Sequence, residues 1–318
     1  MSDNGYEPII IDPVKLTNKY LKQMDWRTKE SSTATFSVGA LSNYMSSAIT
    51  AAYWLDAVYP HDVSMAHQSC DFHIHDLGAG GPQAYCAGWS IKKLIEEGLN
   101  GVAHKIQSNP PSHLSSTMHQ IINFLGIMAN EWAGAQAFSS FDTYLAPFIK
   151  KDNMDEKEVK QCIQAFLFNI NIPSRWSCQP PFSNVTLDLL VPEDLKDKRP
   201  RIGGKLQSFS YGDLQKEMNI FNRLFLEVFE DGDAYGNAFQ YPIITLNCTK
   251  NFFEKLDPVI DEKVWKLTAK HGTPYFSNYV NTGMDPSEIR SMCCRLRLNL
   301  RELSRKNGSL FGSGEETG

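Results

Sequence analysis

The stretch Tyr241-Pro-Ile-Ile-Thr-Leu-Asn247, followed by a helical pattern at Asp261 to His271 and then Tyr275-Phe-Ser-Asn-Tyr-Val-Asn281, sets the fold class of this 318-residue chain. Short β-branched and aromatic runs separated by helix-length segments are the pattern of strand–helix–strand units, which build an α/β architecture. The same alternation extends in both directions. Toward the C-terminus, Met292-Cys-Cys-Arg-Leu-Arg-Leu298 reads as a further strand. Toward the N-terminus, Asp213 to Phe229 is an amphipathic helix closed by Asp-Gly-Asp, and Ser183-Asn-Val-Thr-Leu-Asp-Leu-Leu190 is the clearest strand of the chain. Between those two, the polar segment from Pro192 to Ser210 is a surface excursion.

The first half is more helical. A helix rich in small residues runs from about Gly39 to Val58 and stops at Tyr59-Pro60, since proline cannot continue it. A short helix at His61 to His67 leads into Asp71-Phe-His-Ile-His-Asp76, whose polar–apolar alternation predicts an extended strand with His73 and His75 on one face. Ten residues on comes Tyr85-Cys86-Ala-Gly-Trp89, then a helix from Ser90 to Glu97 closed by Gly98. Ser115 to Trp132 is apolar on more than one side and reads as a buried or interface helix. Ala133 to Asp142 is a joint rich in small residues, and helices follow near Thr143 to Ile149 and from Asp155 to Asn169.

Composition excludes several classes. With 42% hydrophobic residues and 11% aromatics the chain supports a sizeable core. Its 31 basic and 36 acidic residues give a net charge of −5 with no long run of one sign, so nothing recruits nucleic acid electrostatically. The N-terminus has no signal-peptide pattern and no run approaches the roughly 18 apolar residues of a membrane span, which places the protein in the cytoplasm. The seven cysteines are an odd, scattered set without Cys-x-x-Cys, as expected of thiols rather than a disulfide framework or zinc ribbon. Cys162, in a helix, and Cys248, in a strand, are expected to be inert small hydrophobes.

Two imidazoles, a carboxylate and a thiol within Cys70 to Cys86 suggest chemistry. His73 and His75 read equally as hydrogen-bonded histidines at a strand end or as groups that take part in chemistry. A metal-dependent hydrolase would use the His73-x-His75 pair, but needs further ligands on later strands, and His271 is the one histidine beyond His119.

A resemblance narrows these options. Asp71-Phe-His-Ile-His-Asp-Leu77, Tyr85-Cys-Ala-Gly-Trp-Ser90, Glu131-Trp-Ala-Gly-Ala-Gln-Ala-Phe-Ser-Ser-Phe-Asp-Thr-Tyr144, Tyr241 to Asn247, Arg290-Ser-Met-Cys-Cys-Arg-Leu296 and Leu310-Phe-Gly-Ser-Gly314 occur in an order that resembles the anaerobic, glycyl-radical (class III) ribonucleoside-triphosphate reductases. The resemblance implies the first part of a ten-stranded α/β barrel with flanking helices, so that residues 1–318 are a partial catalytic barrel domain. It implies reduction of ribonucleoside triphosphates by thiyl-radical chemistry, with the glycyl radical installed by a radical S-adenosylmethionine activase. Cys86 matches the active-site cysteine that faces the 2′ side of the ribose, where a thiol, protonated at neutral pH with an ordinary pKa near about 8.5, can donate a proton. The alternative for Cys86 is a buried cysteine before a helix. His73 and His75 match histidines lining that pocket, holding ribose hydroxyls or Cys86 without binding metal.

The adjacent Cys293 and Cys294 are a candidate auxiliary-thiol site, and a structural role is equally open, because successive strand residues face opposite ways. Ser31 and Thr33 are candidate substrate contacts, although Ser31-Ser-Thr33 stands where family members often carry Asn-x-Asn. ATP and dNTP effectors and a homodimer follow from the resemblance, with Ser115 to Trp132 fitting the dimer region, but no ATP-cone sequence is present.

The sequence ends at Leu310-Phe-Gly-Ser-Gly-Glu-Glu-Thr-Gly318, just before the family's finger loop. The second half-barrel, the zinc-binding cysteines and the radical segment would therefore be supplied elsewhere. A shortened expression product, a split gene and an N-terminal extein are the three possible origins, and the expectation is one of the last two, with a separately encoded C-terminal half. A non-enzymatic alternative is a nucleotide-binding or oligomerising half-domain. The reductant, formate or a thioredoxin-type dithiol, stays open. An open parallel sheet exposes edge strands, so the isolated chain is expected to associate or aggregate. A monodisperse monomer in size-exclusion chromatography would contradict this.

Overall fold

The computed structural model describes residues 9–24, 36–78, 85–99, 107–172 and 180–280, and the backbone of 289–291 and 297–299. The chain divides into two compact units: residues 1–85 with 130–133 and 173–180, and the remainder.

The first unit is helical where described. Helix α1 (Pro13–Leu21) starts with proline at its first turn, and Asp12 caps it by accepting the Val14 and Lys15 N–H groups at 2.9 and 3.0 Å. Helix α2 (Val38–Tyr53), capped by Ser37, runs on as a π-helical turn, Trp54–Val58, and stops at Tyr59. Helix α3 (His61–Gln68) is tied back by the Ser64 hydroxyl, which donates to the Leu55 carbonyl at 2.6 Å.

The second unit is built on a parallel sheet. In chain order it contains β1 (Ala87–Trp89), α4 (Ile91–Glu97), α5 (Leu114–Met128), β2 (Gln136–Phe138), α6 (Phe141–Asp152), α7 (Glu156–Asn171) and β3 (Ser183–Leu187). A small hairpin, β4 (Arg201–Ile202) and β5 (Lys205–Leu206), leads to α8 (Gln215–Asp231) and β6 (Ile243–Cys248). Then come α9 (Phe252–Lys255), α10 (Pro258–His271) and β7 (Tyr275–Asn278), followed by the antiparallel pair β8 (Ile289–Ser291) and β9 (Arg297–Asn299). The sheet order is β1-β2-β3-β6-β7, every pair parallel.

That order never reverses. Parallel crossovers are right-handed almost without exception, so strands added always on the same side put every connecting helix on the same face. The residues agree. Val185 and Leu187 on β3 and Ile244, Leu246 and Cys248 on β6 are buried at 0–3% exposure. On the same face Trp89 and Phe138 pack on Phe124 of α5, with ring centroids 5.2 and 5.7 Å away, and Phe276 stacks on Trp265 of α10 at 5.5 Å. Burying each such side chain stabilises by about 1.5–3 kcal/mol. The opposite face carries the alternate residues: Gly88, Ala137, Asn184, Thr186, Ile243, Thr245 and Asn247, with Tyr275 and Ser277 on β7. Apart from Ile243 and Tyr275 it is small and polar.

Several sequence expectations need correction. Asp71 to Asp76 is not a strand: the Cys70, Asp71 and Phe72 N–H groups fold back onto the His67 and Ala66 carbonyls as the C-terminal turn of α3, and Cys70 and Asp76 have φ of 65° and 51°. The Ala133 to Asp142 joint contains a strand, β2, and Ser140 next to it has φ 55°. The second apolar side expected for the Ser115 helix shrinks, because α5 exposes a stripe of Ser115, His119, Asn123 and Ile127 while Leu114, Met118, Ile121, Ile122 and Leu125 are buried.

At the carboxyl end of the sheet one buried carboxylate ties three elements together. Asp142, in the first turn of α6 and fully buried, accepts the Asp188 N–H at 2.9 Å, the Leu189 N–H at 2.8 Å and the Asn222 amide of α8 at 2.9 Å. Leu189 is left-handed at φ 61°, a conformation that costs about 1–3 kcal/mol unless its surroundings enforce it. Burial first, and then the neighbouring Asp188 charge, push the Asp142 carboxyl from 3.8 up to about 7 against these hydrogen bonds. Asp142→Ala would leave three buried donors unpartnered and should cost about 3 kcal/mol or more in urea unfolding. The folded state holds this proton to a higher pH than the unfolded chain, so the stability contributed by Asp142 is full below about pH 4 and lost as pH rises through about 7. In Asp142→Asn this segment of the pH–stability curve should flatten.

Candidate active site

Cys86 is a half-buried thiol, outside any disulfide, immediately before β1. The Ala87 N–H donates to the Ala135 carbonyl at 3.1 Å, which holds the start of β1 against the segment entering β2. Cys86 lies two residues before Gly88, so continuing the pleat puts it on the small, polar face of the sheet. Gly88 and Ala137 are its neighbours on that face, and neither has a side chain large enough to cover it. On the helix side, Trp89 is fixed by its indole N–H, which donates to the Gln136 Oε1 at 2.6 Å, while the Gln136 amide donates to the Gly134 carbonyl at 3.1 Å. The thiols of Cys248 and Cys162 differ. Burial pushes Cys248 up to about 11 and raises Cys162, where Glu158 adds to the effect, so both stay protonated as the inert hydrophobes expected of them.

In the first unit, His73 and His75 are exposed residues of the turn after α3. Although the strand is absent, the two rings lie 6.1 Å apart, edge to face, within a row that starts at His67 and ends at Tyr85. His67 Nδ1 accepts the Ile74 N–H at 3.1 Å, which fixes the turn. His75 Nε2 is 3.1 Å from the Tyr85 hydroxyl and 3.2 Å from the Asp76 carboxylate. Among the described residues no group of three or more His, Cys, Asp or Glu side chains is arranged to hold a metal ion. Cys293, Cys294, Ser31 and Thr33 lie outside the described residues.

The polar face also carries residues that sequence reasoning missed. Asn184 donates to the Thr245 hydroxyl at 3.1 Å, and Asn247 donates to the Asp188 carboxylate at 2.7 Å. Asp188 also accepts the Thr143 hydroxyl at 2.7 Å, so Thr143 and Asp188 orient Asn247. The signal was present in Ser183-Asn-Val-Thr-Leu-Asp188 and Ile243-Ile-Thr-Leu-Asn247, where every second residue of a buried strand is polar or points to the same side as one that is.

The anaerobic ribonucleoside-triphosphate reductase family matches residues 30–317, and the chain belongs to it. No curated protein matches it in sequence. Among solved structures, the anaerobic ribonucleotide reductase from Thermotoga maritima in complex with dATP and CTP matches at 20% identity with a TM-score of 0.61, over 85% of this chain and 46% of that one. The same enzyme with citrate in its active site matches at 20% identity and a TM-score of 0.62, over 85% and 50%. A further anaerobic ribonucleotide reductase matches at 19% identity and 0.59, over 81% and 42%. The chain thus spans half or less of the length of these structures, and the likeness establishes the shared fold. No described helix is long and apolar enough to cross a membrane.

Gln136→Leu should remove the Oε1 acceptor of the half-buried Trp89 indole N–H, lower stability by about 1–3 kcal/mol and shift the tryptophan emission. An unchanged urea midpoint would contradict the bridging role of Gln136.

Proposed function

We propose that this chain is the N-terminal part of an anaerobic ribonucleoside-triphosphate reductase and supplies the wall of the active site that carries Cys86. The observation that carries this reading is a half-buried thiol immediately before β1, the first strand in the order of the described sheet, in a chain of this family. The five parallel strands are read as half of a ten-stranded barrel, since a sheet wound in one direction curls toward its helix-free face.

Reduction replaces the 2′ hydroxyl of the ribose with hydrogen. It consumes two electrons and two protons, and the oxygen leaves as water. The glycyl radical that the family resemblance implies, installed by a radical S-adenosylmethionine activase, would generate a cysteine thiyl that takes the 3′ hydrogen, making the 2′ C–O bond labile, and returns it at the end of the turnover. Cys86 is assigned the donor's role, which the family resemblance carries and its half-buried thiol supports: its S–H would donate a proton to the departing oxygen. Formate or a dithiol returns the electron pair. His73 and His75 are assigned to hydroxyls of the ribose, a role carried by the family resemblance of the sequence around them. The reading includes a C-terminal half, a homodimer, dNTP effectors and a cytoplasmic location.

A nucleotide-binding half-domain without turnover is the second reading, and the length of the chain relative to the solved reductases favours keeping it. One assay separates the two. With a complementing C-terminal half and activase under anaerobic conditions, the chain should support deoxyribonucleotide formation, and Cys86→Ser should lower it at least a hundredfold while leaving nucleotide affinity unchanged. Undiminished turnover in Cys86→Ser would remove the thiol from the chemistry. No turnover with any partner, with binding intact, would favour the half-domain.

A further inference from the structure

Buried polar atoms in folded proteins are almost always hydrogen-bonded, and those that are not mark a place where water or a ligand completes the set. On the face of the sheet opposite the connecting helices, beside Ile243, three such atoms come together. The Asn184 Oδ1, the Thr186 hydroxyl and the Asn247 Oδ1 are each buried without a hydrogen-bond partner. Asn184 and Thr186 are both 1% exposed. The three residues belong to adjacent strands, β3 and β6, in register through Thr186 and Thr245, so neighbouring positions are separated by only ~5 Å across the sheet and ~7 Å along it.

We propose that this row binds hydroxyl groups of a sugar, with Asn247, Thr186 and Asn184 as its contacts. The polarity of the row supports hydroxyls over phosphate. The orientation of Asn247 is fixed, because its amide N–H donates to the Asp188 carboxylate, so the remaining atom is an acceptor and requires a donor from the ligand. Thr186 can accept or donate. The charged group beside the row is Asp188, and the described residues of this face include no lysine or arginine. A phosphate here would meet an acceptor and a carboxylate, whereas a sugar hydroxyl donates to the first and tolerates the second.

The place in the fold fits. Asn247 and Asp188 stand at the carboxyl ends of β6 and β3, where parallel sheets gather ligands. Asn184 lies on the same face as Cys86, level with Gly88 and two strands from it, ~10 Å across the sheet. A ribose held by Asn184 and Thr186 would extend toward the thiol. That the sugar is part of a ribonucleotide rests on the reductase reading; that the row takes hydroxyls does not.

Thr186→Val gives the sharpest test, because it keeps the shape of the side chain and removes only an unpartnered hydroxyl. In the 318-residue protein, affinities for CTP and 2′,3′-dideoxy-CTP are measured by calorimetry, and ligand-free melting is recorded alongside. The wild type should prefer CTP by about tenfold or more, one or two hydrogen bonds' worth. Thr186→Val should abolish most of that preference at unchanged affinity for the dideoxy analogue, melt at the same or a higher temperature, and be rescued by Thr186→Ser. Asn247→Ala should lose the preference as well.

An unaltered preference in Thr186→Val, no preference or no CTP binding in the wild type, or a lower melting temperature for Thr186→Val would each overturn the proposal. The last would show that the hydroxyl serves the fold. Hydroxyl preference without turnover in the reconstituted assay would sink the reductase reading and leave the row standing. Turnover with no preference would do the reverse.

Discussion

Right-handed crossovers applied to a strand order that never reverses constrain everything else in the second unit. With β1, β2, β3, β6 and β7 laid down side by side in one direction, the helices have a single face to occupy. That face takes most of the valines, leucines, isoleucines and aromatics, and the other is left mainly to glycine, alanine, serine, threonine and asparagine, with Ile243 and Tyr275 among them. A doubly wound sheet would have buried both faces under helices and left its ligand to a crevice where the order reverses. Here the connecting helices all lie on one face, and the residues of the other, Ala137, Asn184, Thr186 and Thr245, are nevertheless buried at 1–3% exposure.

An open polar face in a buried sheet has a cost, and the residues at its carboxyl edge show how it is met. Asp142 holds the backbone just beyond β3 and reaches across to α8, enforcing the left-handed turn at Leu189. Thr143, the next residue along, fixes Asp188, which in turn fixes Asn247. Two adjacent side chains of one helical turn therefore do separate jobs, one structural and one aimed at the open face. Burial, and after it the neighbouring Asp188 charge, is why Asp142 holds its proton unusually well. The Asn184 Oδ1, the Thr186 hydroxyl and the Asn247 Oδ1, buried without a partner, are the atoms that the proposed sugar hydroxyls would satisfy.

Much of this was legible in the sequence. The strands at Ser183 and Tyr241, the helices at Asp155, Asp213 and Asp261 and the Gly98 stop were readable because each has a strong period and a clear terminus, as with Asp155 and Glu158 capping α7 reciprocally. The His73 to His75 strand failed for a physical reason. Alternation over a few residues fits a strand only if another strand pairs with it, and here the amides are used to close α3. Strand β2 was hidden because Gln136-Ala-Phe138 is three residues long and set in small residues, so its neighbours define it and its own propensity does not. The polar row was illegible because asparagine and threonine, unlike histidine and cysteine, do not announce chemistry by type; they become informative only once both are known to be buried and on one face.

The family relation and the geometry meet at Cys86. Among the described thiols, Cys162 and Cys248 are pushed toward the protonated, inert form, and Cys70 is exposed in a turn of the first unit. Of these four, Cys86 is the one beside the open sheet face. The most direct measurement is the alkylation rate of each cysteine, followed by mass spectrometry, with and without CTP. Nucleotide should slow labelling of Cys86 severalfold and leave Cys70 unchanged. Equal rates at Cys86 with and without nucleotide, at concentrations where binding is saturated, would contradict the placement of the substrate on this face.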